Sequence, residues 1–151
     1  MTAGVRMLAV VAVIALGGVA CGGSGSGGSA PSDTRASGAR SGGACPASAG
    51  LPTPARDHGA AAATGSNVSI EAGDSFFAPT CVTGVSSGTV TLTVRNSGQA
   101  LHNVTIDSLG IDKDVPAGQT ITVTVRMESS PLTFFCKYHR TSGMVGALLP
   151  S

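Results

Sequence analysis

The chain has 151 residues, room for one ordinary domain, and its 9 Lys and Arg against 8 Asp and Glu leave a net charge of +1. With no Trp and only 3% aromatic residues, such a near-neutral chain has neither the basic surface of an electrostatic nucleic-acid grip nor a base-stacking platform. Charged residues make up 11%, against roughly 25% in an average globular domain, and the 22 glycines are about twice the usual share, which predicts a core joined to a flexible polar stretch.

Arg6 precedes an apolar run from Met7 to Leu16, and small residues follow up to Cys21. One positive charge, a short apolar core and a small-residue end form an export signal over residues 1–20. The 14 residues from Met7 to Ala20 are too few for a transmembrane helix, which needs about 20. The stretch ending in Ala20 and Cys21 resembles the lipobox of bacterial lipoproteins, although Gly18 stands where that pattern has Leu. The resemblance implies a lipid on Cys21, and hence an exported protein held at the outer face of the cytoplasmic membrane. The alternative is an ordinary signal-peptidase cut that leaves Cys21 bare. Nine glycines and seven serines fill the 29 residues from Gly22 to Gly50, with no apolar periodicity to offset the entropy of ordering them. Residues 21–66 therefore read as a flexible tether with an end-to-end distance of roughly 35–40 Å. His58 lies in this stretch without a partner pattern and is read as solvated.

The folded domain is expected over residues 67–151. Val68 and Ile70 alternate with polar neighbours, as do Val90, Leu92 and Val94, then Val104 and Ile106, then Ile121, Val123 and Val125. Period-two alternation of β-branched residues predicts half-buried strands. Leu132 to Cys136 and Met144 to Leu149 add two short apolar segments. Ser87-Gly88, Asn96-Ser97-Gly98 and Pro116-Ala117-Gly118 mark turns, and no convincing helix interrupts them. The pattern predicts an all-β chain, an antiparallel Greek-key β-sandwich of about seven or eight strands. Such a small core would gain from a cross-link or a metal.

The stretch Phe134-Phe135-Cys136-Lys137-Tyr138-His139-Arg140-Thr141-Ser142-Gly143-Met144 spaces Cys, His and Met as Cys-x2-His-x4-Met. His102 stands upstream in Leu101-His102-Asn103-Val104. One thiolate, two imidazoles and one thioether suit copper in both oxidation states, and a trigonal Cys and His pair with a weak axial Met defines a blue-copper site. Zinc would gain little from the thioether. A Cys–His protease pair is disfavoured, because Cys136 and His139 are only three apart and a Met follows.

At these residues the sequence resembles the cupredoxins, especially the plastocyanin-like ones. They share the Cys-x2-His-x4-Met loop and a first His followed by Asn. The resemblance runs from about Asn67 to Pro150 and includes Phe77-Ala78-Pro79, Gly88-Thr89-Val90 and Gly118-Gln119-Thr120. It implies that His102, Cys136, His139 and Met144 hold one copper ion, and that Asn103 ties the two ligand-bearing loops together. With Cys21 assigned to lipid and Cys136 to copper, Cys45 and Cys81 remain. In an exported chain they are expected to pair, the alternative being two free thiols. The expected function is electron transfer by a monomeric, membrane-tethered carrier that exchanges electrons with partner proteins and is not an enzyme. The alternative is a copper chaperone or scavenger that delivers the metal to another protein.

Overall fold

The computed structural model describes residues 42–151. The export signal, Cys21 and the first part of the tether lie outside them. Ten strands occur among the described residues: β1 (Ala60–Ala62), β2 (Asn67–Gly73), β3 (Phe76–Ala78), β4 (Cys81–Val85), β5 (Gly88–Asn96), β6 (His102–Ile106), β7 (Ile111–Val115), β8 (Thr120–Met127), β9 (Leu132–Phe135) and β10 (Val145–Pro150). They form two sheets, one ordered β1-β4-β10-β9-β6-β7 and the other β3-β2-β5-β8. The β-sandwich read from the alternation is present, with more strands than the seven or eight expected. The additions are β1 and β3, three residues each and too short to show a period, and β7, whose Ile-Asp-Lys-Asp-Val sequence is polar along its middle. Pairing is mixed. β2–β5, β1–β4 and β4–β10 run parallel and the other neighbours antiparallel.

Alternation decides which face of each long strand turns inward. On β5 the buried residues are Val90, Leu92, Val94 and Asn96, and the threonines between them are only half-buried or exposed. Register then builds rows across the sheet: Val68 lies beside Leu92, Ile70 beside Val94, and Val123 and Val125 beside Leu92 and Val90. The opposite sheet contributes Val82, Val104, Ile106, Phe134 and Leu148 to the same core. Fully burying side chains of this size contributes about 1.5–3 kcal/mol each. Phe77 of β3 meets Phe134 of β9 edge to face, with ring centroids 5.0 Å apart. The Phe134 ring also crosses Gly146 of β10, where an added Cβ would collide with it.

Residues 42–66, expected to be tether, are instead built onto the sandwich. Cys45 is joined to Cys81 by a disulfide across a Cα separation of 5.5 Å and 36 residues of chain, as expected. A short 3-10 turn, Ala47–Ala49, and the all-alanine strand β1 follow it. Ala49, Ala60, Cys81, Ala147 and Leu149 form a second, small core there, with Cys45 and Leu51 packed against it. Small side chains let backbones approach closely without giving the sequence any apolar period, so the composition resembled a linker. His58 is exposed, yet its ring stacks on Phe76 with centroids 3.8 Å apart, and its N–H donates to Thr80 Oγ1 at 2.7 Å.

Candidate metal centre

His102 opens β6, opposite Val115 of β7. The turn before it is fixed by buried Asn96, whose Nδ2 donates to Ala100 O and to Val115 O, both at 2.8 Å, while its Oδ1 accepts from Gly98 N at 2.9 Å. One side chain thus satisfies the backbone groups that deliver His102 to the inside of the sandwich.

Cys136 directly follows β9, and the chain makes a tight loop before β10. His139 N donates to Cys136 O at 3.1 Å, and Met144 N donates to His139 O at 3.1 Å. Cys136 N donates to Met144 O at 3.1 Å, closing the loop at its base. The 3-10 turn Arg140–Ser142 fills the middle and ends on Gly143 at φ +86°, a left-handed conformation that favours glycine. Backbone hydrogen bonds therefore tie Cys136, His139 and Met144 into one closed loop.

The loop meets His102 across the end of the sandwich. One potential ligand atom each from His102, Cys136 and His139 lies within 4.8 Å of the others. Cys136 Sγ is 3.5 Å from His139 Nδ1, and the two imidazole centroids are 5.0 Å apart. His102, Cys136 and Met144 are fully buried, whereas His139 is half-exposed. Cys136 is the free cysteine of the described residues.

Both ring nitrogens of His102 are buried without a hydrogen-bond partner. Asp74 Oδ1 comes to 3.8 Å of Nε2, beyond hydrogen-bond reach. Burial holds the His102 imidazole below its ordinary pKa, with His139 adding to the effect and Asp74 opposing it. A buried imidazole with no hydrogen-bond partner costs desolvation energy unless something pairs with its nitrogens. A metal ion shared with the Cys136 sulfur and the second imidazole would satisfy one of the two nitrogens. The residues present thus fit a metal of intermediate to soft character.

Asn103 connects the stretch that carries His102 to the one that carries Cys136 and His139. Its Oδ1 accepts from Lys137 N at 3.4 Å, and its Nδ2 donates to Asp112 Oδ1 at 2.7 Å and Asp114 Oδ1 at 3.1 Å. Lys137 Nζ bridges the same two carboxylates at 2.8 and 3.0 Å, and Tyr138 donates its hydroxyl to Asp114 at 3.1 Å. These hydrogen bonds hold both carboxyls below the ordinary Asp range and raise the Lys137 ammonium pKa. Asp112, Asp114 and Lys137 were not singled out in the sequence. Asp112 and Asp114 alternate on one face of β7, a signal that was there to be read; Lys137 meets them only through the fold.

Residues 49–149 match the family model of the cupredoxin-like domain. The chain belongs to that family. The cupredoxin-like fold also stands in solved structures. Auracyanin of the photosynthetic bacterium Roseiflexus castenholzii, in a dithionite-reduced form, is 18% identical with a TM-score of 0.51, over 59% of this chain and 99% of its own. The metal-binding domain of the Cu(I)-exporting P-type ATPase of Streptococcus pneumoniae, solved with Cu(I), is 12% identical with a TM-score of 0.53, over 62% of this chain and 97% of its own. At these identities the likeness is one of fold. No curated protein matches the chain.

Proposed function

We propose that this cupredoxin-like protein is a single-copper electron carrier of the type 1 kind, with His102, Cys136, His139 and Met144 as ligands. The observation that carries the reading is the group of buried His102, buried Cys136 and half-exposed His139, with both His102 nitrogens unpartnered. Copper held there would supply one-electron redox chemistry through a thiolate, two imidazoles and a weak thioether. The chain's own residues do the rest. His102 and Cys136, both fully buried, exclude water from the donor atoms. Asn103 and the hydrogen bonds among Cys136, His139 and Met144 hold the donors in one arrangement, which keeps reorganisation small. His139 is half-exposed, and Leu101, next to His102 in the chain, is 44% exposed, so this edge is where a redox partner would dock.

The test is titration with Cu(II) of the chain lacking its first 20 residues. One equivalent should produce an intense visible thiolate-to-copper band and a reversible redox couple. A colourless protein that binds copper loosely would sink the reading. The second reading is copper delivery, which uses the same donors. It is supported if the reduced protein hands Cu(I) to an acceptor rather than cycling without loss.

Export over residues 1–20 and a lipid on Cys21 complete the proposal, placing a monomeric carrier on the outer face of the cytoplasmic membrane. Full-length protein should partition with membranes, and Cys21→Ala should release it or block its maturation. A soluble mature protein with unmodified Cys21 removes the anchor from the proposal.

A further inference from the structure

Residues 45–62 form a segment closed at both ends. The Cys45–Cys81 disulfide fastens its start, and β1 fastens its end by pairing with Cys81, Val82 and Thr83 of β4. Between them, Cys45 N donates to Asp57 Oδ2 at 2.9 Å and Gly59 N to Asp57 Oδ1 at 2.8 Å. Buried Thr80 accepts from His58 N and lies within donating distance of Arg56 O at 3.1 Å. The stretch around Arg56 therefore has a fixed path.

That path crosses the turn between His139 and Met144. Arg56 N donates to Gly143 O at 2.9 Å, and Arg56 Nε donates to Ser142 O at 3.0 Å. These carbonyls lie at the C-terminal end of the Arg140–Ser142 turn, where a cationic donor is favoured. The contact is also shaped. A Cβ on Gly143 would come to 3.0 Å of Arg56 N and 3.1 Å of Pro54 O, so the segment seats where the turn has no side chain.

We propose that Arg56 is a positioning residue for the metal loop, carried to it by the disulfide-closed segment. This rests on the reading of Cys136, His139 and Met144 as ligands. The loop is held on one flank by Asn103, Asp112 and Asp114 at Lys137 and Tyr138, and on the other by Arg56 at Ser142 and Gly143. The Arg56 contacts fall between two ligands, His139 and Met144. Their loss would free the turn that sets how far Met144 stands from the other donors.

The test compares Arg56→Met with Arg56→Gln in the chain lacking its first 20 residues. Both keep a stem of similar length. Gln places an amide nitrogen where Arg has Nε, and Met places a methyl there. In the metal-free protein, Arg56→Met should speed hydrogen exchange at Ser142, Gly143 and Met144 roughly three- to tenfold, while β5 and β8 amides keep their rates. With Cu(II), it should shift the thiolate band and the reduction potential, and Arg56→Gln should stay near wild type in both readouts. The double variant Cys45→Ala/Cys81→Ala should reproduce the Arg56→Met changes in the loop. The inference is overturned if Arg56→Met leaves loop exchange and spectrum unchanged, if Arg56→Gln is as altered as Arg56→Met, or if exchange rises equally throughout the sandwich. Failure of the copper reading is distinct: the wild type would then show no thiolate band, while the metal-free exchange still reports whether Arg56 holds the turn.

Discussion

Cys136 and Met144 are both fully buried in the loop, but their donor atoms differ in strength. A thiolate is a strong ligand and a thioether a weak one. Cys136→Ser should therefore abolish the visible band of the copper-loaded protein, because a hydroxyl is a harder and far less basic donor. Met144→Gln should keep the colour and lower the reduction potential, because an amide oxygen favours Cu(II) more than a thioether does. Voltammetry decides the second case, and an unchanged potential would make Met144 a core residue only. The proposed donors can be read from the sequence because Cys-x2-His-x4-Met packs three of them into nine residues. Their supports are less legible there. Asn103 came through a family resemblance. Asp74, 3.8 Å from His102 Nε2, is an exposed acid at a strand end, with no pattern linking it to residue 102.

Among the elements, β7 and the segment before β2 show how a strand or strap escapes a hydrophobic reading. Asp112, Lys113 and Asp114 are all exposed, so β7 follows no core period. It is held through Asn103, Lys137 and Tyr138, and these bonds depress both carboxyl pKa values. A carboxyl depressed on folding adds stability above its unfolded pKa, and that stability is lost as pH falls through the folded value. Acidification from about pH 5 to about pH 3 should therefore destabilise the wild type more than Asp112→Asn/Asp114→Asn, measured by denaturant midpoints at each pH. Equal pH slopes would mean that the clamp contributes nothing. The segment 42–66 was missed for another reason: alanines pack by closeness, which leaves no periodic trace. A chain beginning at residue 67 would lack β1, the Cys45–Cys81 bridge and the Arg56 contacts. In the chain-entropy picture the bridge is worth roughly 3–4 kcal/mol in a chain of fixed length, so denaturant unfolding should show Cys45→Ala/Cys81→Ala less stable by about that much than the bridged chain beginning at residue 21. Equal stability would mean that the bridge does not constrain the unfolded chain.

At the scale of the whole molecule, charge bears on how a partner is met. Residues 42–151 carry six Lys and Arg against seven Asp and Glu, so the domain is close to neutral. Around the candidate site charges of both signs occur. Lys137 is bound between Asp112 and Asp114, and Arg140 lies over the Phe135 ring at 4.0 Å. The large apolar side chains exposed next to the two histidines are Leu101, before His102, and Tyr138, before His139. Leu101 and Tyr138 are 44% and 46% exposed, whereas Met144 and Val145 are buried and Gly143 is covered by Arg56. Gly143 is therefore a poor place for a charge probe, since any side chain there would displace the segment and strain a left-handed backbone. Leu101 is the better one. Without a single-sign field, steering is weak and encounter is set by brief apolar contact over a small area. Electron exchange with a neutral partner should thus vary little between low and high salt, and Leu101→Glu should slow it without removing the copper band. Stopped-flow rates across an ionic-strength series, on the wild type and this variant, make the measurement. A steep salt dependence in the wild type would mean a charged docking face elsewhere on the sandwich, and an unslowed Leu101→Glu would move the route of exchange away from the His139 edge.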